Sequence, residues 1–287
     1  MTTLSDLRRF AVSRSLFAPT TLERAIDAFG FVQADPIRAP ARAQDLTLRP
    51  RVAHYRAGDL ERRYASLDVE EDVFINYGFV TRALQGLMHP RSVASLRPTS
   101  RNTRARAILD FVRERGEVHP RDVDAHFAHG TVTNYWGGSS SATTHLVQAM
   151  HYKGLLRVAR RDGGIRVYAV QTHGPAPIGA AACQDRIDAL VDLVVRKYAP
   201  LPAPSLSYVV GRLRYAVPQW HGELRSALQR ARQRLSHARV ESTDWYWPVD
   251  EQVVSDPRPE EVRLLAPFDP VVWDRRRFEL LWGWAYR

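Results

Sequence analysis

The feature that most restricts the fold is a pair of alternating runs, Leu155-Leu156-Arg157-Val158-Ala159-Arg160-Arg161 and Ile165-Arg166-Val167-Tyr168-Ala169-Val170, separated by Asp162-Gly163-Gly164. Period-two alternation lines up every second side chain on one face of a strand, and Asp-Gly or Gly-Gly supplies the positive φ of a tight hairpin turn. Upstream, three segments carry apolar residues at helical spacing. Ala107, Ile108, Phe111 and Val112 share one side of 104–115, Val118-His119-Pro120 leads into a segment ending at Phe127, and Leu146, Val147 and Met150 align in 141–152. Three helices followed by a two-stranded hairpin is the winged-helix order, in which the third helix can enter a major groove while the hairpin touches the backbone. Thr143 and Thr144, followed by His145, then fall at the start of that third helix, and Arg157, Arg160, Arg161 and Arg166 decorate the wing. A winged helix that packs against a protein is the alternative; the arginines favour DNA.

The rest of the chain repeats this order with varying clarity. Leu4, Leu7, Phe10, Ala11 and Leu16 mark a first helix with Thr3 or Ser5 as its cap; Leu22, Ile26 and Phe29 mark a second that ends at Gly30. Phe31 and Val32 open a strand, and 44–55 reads as a third, shorter element. Residues 57–90 parse as mixed helices around Leu60, Tyr64, Val73, Phe74, Tyr77, Val80 and Leu84, with Glu70-Glu71-Asp72 as a helix start or a solvated turn. After a linker at Pro175 and Pro177, helices over 184–198, 205–215 and 222–236 precede a last hairpin made by 239–241 and 244–249. The expected fold class is mainly α with small β-hairpins (α+β). Its units are a first winged-helix-like unit with a helical extension (1–98), a winged helix (99–174), a third winged-helix-like unit (175–250) and a basic, apolar tail (251–287).

Charge and cysteine usage bound the partners. The 287 residues include 41 basic and 31 acidic ones, net +10, which favours an anionic partner such as nucleic acid. The only lysines are Lys153 and Lys197, and the only cysteine is Cys183, so neither an intramolecular disulfide nor a cysteine-based zinc site can form. No HxxxH or HExxH spacing points to a metal, and His54 and His89 read as packing or surface residues. The N-terminus lacks the apolar core of a signal peptide, and no apolar run approaches the ~18 residues of a membrane span. These features lead us to expect a soluble, cytoplasmic and nucleoid-associated monomer that needs no cofactor.

One stretch concentrates candidate chemistry. Residues 30–51, GFVQADPIRAPARAQDLTLRPR, place Gln33 and Asp35 two apart, on one strand face, ahead of Arg38, Arg42, Arg49 and Arg51. An amide and a carboxylate beside an arginine cluster suit a reactive site that meets a polyanion. The same letters also read as a turn, because Asp-Pro is a common turn starter; on local pattern alone the turn is the stronger reading. The tail carries a second basic cluster, Arg275, Arg276 and Arg277, behind Pro267-Phe268-Asp269-Pro270 and Trp273-Asp274.

These stretches together resemble the YcaQ/AlkZ-like winged-helix family, whose members include interstrand-crosslink DNA glycosylases. The likeness rests on FVQADPIRAPARAQDLTLRPR, LLRVARRDGGIRVYAV and LLAPFDPVVWDRRRFELLWGWAYR, and covers nearly the whole chain. Members carry a catalytic Gln–apolar–Gln or Gln–apolar–Asp triplet, and Gln33-Ala34-Asp35 fits the second form, with a small residue in the middle. The resemblance implies tandem winged helices forming a concave basic surface, double-stranded and damaged DNA as the partner, and a glycosylase reaction. Asp35 would then be the general base and electrostatic stabiliser, Gln33 would position water, and Arg38, Arg42, Arg49, Arg51, Thr143, Thr144, Arg157, Arg160, Arg161, Arg166, Arg275 and Arg276 would meet DNA. Members usually continue past the position of Tyr286 and Arg287 into a small β-rich segment that helps hold DNA; this sequence stops there. Without a lysine near the triplet, a monofunctional hydrolase is expected rather than a Schiff-base lyase. A winged-helix regulator is the competing reading, and a protein-binding adaptor the third.

Overall fold

The computed structural model describes residues 2–37, 40–91, 103–127, 130–133, 139–253 and 262–285. Arg38 and the loop residues Asn134, Gly137 and Gly138 lie outside the described residues. After helix α1 (Leu4–Ser15), one element order occurs three times. The first set is α2 (Leu22–Phe29), β1 (Phe31–Gln33), α3 (Ala43–Leu48), α4 (Asp59–Arg63), β2 (Val69–Val73) and β3 (Tyr77–Thr81), closed by α5 (Arg82–Met88). The second is α6 (Thr103–Arg115), β4 (Glu117–Val118), α7 (Pro120–Phe127), α8 (Ala142–Tyr152), β7 (Leu156–Asp162) and β8 (Ile165–Val170), with the ribbon β5 (Thr131–Thr133) and β6 (Ser139–Ser141) inserted before α8. The third is α9 (Ala180–Tyr198), β9 (Leu201–Pro202), α10 (Ala203–Arg212), α11 (Leu224–Arg234), β10 (Ser236–Val240) and β11 (Thr243–Trp247). Helix α12 (Arg275–Trp282) ends the chain.

Each set builds a three-stranded antiparallel sheet of one kind. The short strand after the first helix pairs with the second strand of the hairpin, giving the orders β1-β3-β2, β4-β8-β7 and β9-β11-β10. The mainly helical fold with small sheets is therefore present, and its sheets are wings with a third strand. Local signals explain the helix ends. Thr3 caps α1 in a reciprocal box with Asp6, Thr21 caps α2, and Gly30 stops α2 in the left-handed region at φ 63°.

Two hydrophobic cores form, and β1 with β3 is the wall between them. Phe31 and Val80 pack with α1, α5, α9, α10, α11 and the β10–β11 hairpin. Val32 and Phe79, one residue along on each strand, pack with α2, α6, α8 and the β7–β8 hairpin. A strand alternates its side chains, so two adjacent apolar residues serve two cores. The crossing is close at Gly78, which pairs with Gln33; a Cβ there would lie 2.9 Å from the Gln33 Cα and closer still to the Val32 carbonyl and the Phe31 ring. Only glycine admits that approach.

The expectation for Glu70-Glu71-Asp72 is corrected. These residues are neither a helix start nor a solvated turn; they form the middle of β2 and are buried at 3%, 1% and 2% exposure. Arginines brought from far along the chain make this possible, and nothing local announces them. Arg157 holds Glu70 (2.7 Å), Arg161 holds Glu71 through two bonds of 2.6 Å, and Arg91 and His89 hold Asp72 (2.6 and 2.8 Å). Burial by itself would raise the Glu71 and Asp72 carboxyls. The adjacent Arg161 and Arg91 guanidiniums outweigh it and hold both below the ordinary carboxylate range.

Candidate active site

Strand β1 ends at Gln33 because the chain leaves the sheet after one further bond, from the Ala34 N–H to the Tyr77 carbonyl (3.0 Å). Asp35 lies just beyond, and its Oδ1 accepts the Ile37 N–H at 2.8 Å, an Asx-type turn. The turn reading of Asp-Pro therefore holds: one carboxylate oxygen starts a turn, and among the described residues the other has no partner. Leaving the strand also redirects the side chain. Gln33 and Asp35 do not open onto one face; they line two recesses that flank residue 34.

The Gln33 recess, about 590 Å³, is formed with Asn76, Tyr208, Arg212, Phe268, Trp273 and the α12 residues Arg275 and Arg276, among others. The Asn76 Nδ2 donates to Gln33 Oε1 (2.9 Å), the Arg212 guanidinium donates to Asn76 Oδ1, and Arg212 Nε donates to the Ile75 carbonyl (2.8 Å). This relay ties down the amide oxygen and leaves the Gln33 NH₂ facing the recess. Asn76, Arg212, Tyr208 and Trp273 were not among the expected site residues. Asn76 sits in the turn between β2 and β3, where the apolar spacing suggests helices; Tyr208 and Arg212 stand four apart on α10, a spacing visible in the sequence but ordinary for any helix.

The Asp35 recess, about 190 Å³, is formed with Arg42, Gln44, Tyr77, Arg161 and Arg166. Those arginines have other carboxylate partners: Arg42 pairs with Glu61, and Arg161 and Arg166 with Glu71 at 2.6 and 3.4 Å. Among the described residues Asp35 itself forms no ion pair, and it is half-buried. The result is a carboxylate among Arg42, Arg161 and Arg166 with none of the three guanidiniums upon it, a state suited to stabilising a nearby cation or taking a proton.

The expected DNA contacts divide by exposure. Arg275 and Arg276 are exposed in the first turn of α12, where the Asp274 carboxylate caps the helix by accepting the Arg277 N–H (3.0 Å). Arg49 is exposed and donates to the Tyr55 carbonyl (3.2 Å), and Thr144 is half-buried at the start of α8. Arg160, also exposed, meets Glu117 at 3.0 Å. Arg157, Arg161 and Arg166 of the wing are partly buried and paired with Glu70 and Glu71, so they fasten the wing to β2 instead of projecting from it.

Arg51 and Thr143 are corrections. Arg51 is fully buried and fork-bonded to Asp269 (2.7 and 3.0 Å), with further bonds to the Ser15 and Thr47 carbonyls (both 2.6 Å). It joins the tail to the first unit and cannot reach DNA; removing one partner of such a pair costs about 3–5 kcal/mol. Thr143 has no exposure because its position on α8 faces the core. Arg277 is likewise buried, donating to the carbonyls of Pro200, Pro270, Val271 and Ala199.

The two lysines stand apart from both recesses. Lys153 is exposed in the turn after α8. Lys197 is buried, its ammonium donating to the Phe31 carbonyl and lying over the rings of Phe29, Phe31 and Tyr198. Burial, then the nearby Arg51, pushes its pKa down to about 7 against the pull of Asp269. Among the described residues no cluster of His, Cys, Asp and Glu could hold a metal ion, and no helix is long and apolar enough to cross a membrane.

Comparison with known proteins bears on the family and the fold. The sequence matches the family model described as DNA glycosylase AlkZ-like over residues 26–287. Among solved structures, the Streptomyces sahachiroi DNA glycosylase AlkZ is similar, with a TM-score of 0.62 at 12% identity over 94% of this chain and 76% of that one. At that identity the likeness speaks for the fold. No curated protein matches the sequence.

Proposed function

The chain belongs to the AlkZ-like DNA glycosylase family, a family of DNA-binding repair hydrolases, and from that premise we propose that it hydrolyses the N-glycosidic bond of alkylated or interstrand-crosslinked purines. An N7-alkylated purine already carries positive charge, so it leaves with the bonding electron pair and needs no general acid. The deoxyribose becomes oxocarbenium-like as the C1′–N9 bond breaks. Asp35 stabilises that charge and takes a proton from the water that bonds to C1′. Gln33, its oxygen tied to Asn76, presents its NH₂ to the water or to the DNA backbone. Residues 33 and 35 lie on either side of residue 34, and the two recesses that flank it serve a single substrate.

The observation that carries this reading is the Asp35 carboxylate, partly open and without an ion pair among the described residues while three arginines line its recess. The reaction is monofunctional. Lys197 has the depressed pKa of a Schiff-base nucleophile, but its ammonium is closed in behind β1 by three aromatic rings; borohydride treatment during turnover will trap no covalent DNA adduct. A winged-helix regulator is disfavoured because three of the four wing arginines are bound to β2 carboxylates.

The test is incubation with duplex DNA carrying N7-methylguanine, followed by alkali to cut the abasic sites. Wild-type protein will release the base. Asp35→Asn will slow release about 10²–10⁴-fold with DNA affinity unchanged within a few-fold. Equal rates in the two proteins would remove Asp35 from the chemistry.

A further inference from the structure

Aromatic rings and guanidiniums run in a continuous line from the core to the surface, along one side of the Gln33 recess. The buried Tyr198 lies 5.1 Å from Trp273, and Trp273 lies 6.0 Å from Tyr208. The Arg212 guanidinium is 5.9 Å from the Tyr208 ring and 5.2 Å from that of Tyr215. Arg214 follows, 4.7 Å from the Tyr215 ring and bonded to its hydroxyl at 2.8 Å. Exposure appears at the outer end, where Tyr208 is 53% and Tyr215 39% open to solvent. The middle guanidinium is pinned by the Ile75 carbonyl and Asn76. The line is thus built before any partner arrives.

We propose that this line is a stacking platform for unpaired DNA bases next to the nucleotide under attack. An intact duplex offers base edges and phosphates but hides the base faces inside its stack. Only an unstacked base presents a face to an exposed tyrosine, and such stacking tolerates any sequence because every base has one. Chemistry at C1′ of a duplex nucleotide requires local unstacking, and the Gln33 recess, where Tyr208 and Arg212 begin the exposed part of the line, is where that would occur. The charge agrees. Arg212 and Arg214 lie within the line, and Arg275 and Arg276 line the same recess, where a strand's phosphates would be drawn. The platform rests on the glycosylase reading only for the reason that bases are unstacked there.

The test is equilibrium binding of the full chain to a short mixed-sequence single strand and to its intact duplex. Tyr208→Ala and Tyr215→Ala will each weaken single-strand binding about tenfold and leave duplex binding nearly unchanged, while the Phe variants at both positions bind as wild type. Equal loss on both DNAs, no loss on either, or Phe variants as weak as the Ala ones would overturn the proposal. A second measurement needs no substitution: irradiation of a bound 5-iodouracil single strand will attach it to Tyr208 or Tyr215, and attachment only elsewhere would also overturn it. The two readings fail separately. Single-strand preference without base release removes the proposed reaction and leaves the platform; base release without that preference does the reverse.

Discussion

Two regions of this molecule set carboxylates among arginines, and they behave as opposites. In β2, Glu70, Glu71 and Asp72 are buried and each is held by at least one guanidinium. At the end of β1, Asp35 is half-buried beside Arg42, Arg161 and Arg166 and is held by none of them. The same chemistry is structural in one place and, in the proposed function, reactive in the other. The difference is allocation: Arg161 and Arg166 line the Asp35 recess, yet both are bound to Glu71, so the inner carboxylate keeps the outer one unpaired. A site of this kind is made by what surrounds its arginines as much as by its own residues.

The comparison predicts opposite losses. Asp35→Asn costs the reaction, by the 10²–10⁴-fold given above, and leaves the melting temperature near that of wild type. Glu71→Ala costs stability, about 3–5 kcal/mol in denaturant unfolding, because it leaves guanidiniums beside an empty buried position. If Glu71→Ala were as stable as wild type, the two regions would not differ as described. Asn76→Asp comes next. It keeps the acceptor for Arg212 but removes the donor to Gln33, and should slow base release about tenfold; in a Gln33→Ala background it should change nothing further, as a double-mutant cycle will report. Additive effects would mean that Asn76 acts on structure and not through Gln33.

Smaller effects sharpen the contrast at the surface and in pH. Arg276→Ala should lower the slope of log affinity against log salt by about one, whereas Arg160→Ala, whose charge already meets Glu117, should change it less. Acid should act first on β2. Burial lowers the His89 pKa to about 4 from 6.5, so the unfolded chain takes up that proton first as pH falls through this window. Glu71 and Asp72, with folded pKa values below their unfolded ones, add stability that is full above the ordinary carboxylate range and lost as pH falls through the folded values. Stability measured in urea should therefore decline below about pH 6.5 and fall further below about pH 4, and His89→Gln should lessen only the first part, to which His151 and His173, also lowered by burial, contribute.

What could be read in the sequence was local, and what could not was supplied across distance. The β7–β8 hairpin, the cap at Thr3, the stop at Gly30 and the β10–β11 hairpin all have signals within a few residues, and the structure has each of them. Strand β2 has no such signal, because Glu-Glu-Asp is strand-like only when arginines some twenty to ninety residues away are already in place. Arg51 misled for the same reason. It stands in a basic run like a DNA contact, and its partner Asp269 lies in the tail. The triplet at 33–35 was legible as a pattern, but not its geometry, since the exit from β1 and the relay through Asn76 depend on the β2–β3 turn.

The partition made by β1 has a consequence for how this enzyme can fail. Phe31 is gripped from one side and Val32 from the other, so the triplet hangs from a beam with both ends set in different masonry. Neither half of the protein can loosen without tilting that beam. Damage far from the triplet, on either side, is therefore felt at residues 33–35, and a fragment holding only one of the cores would carry the same letters without their alignment.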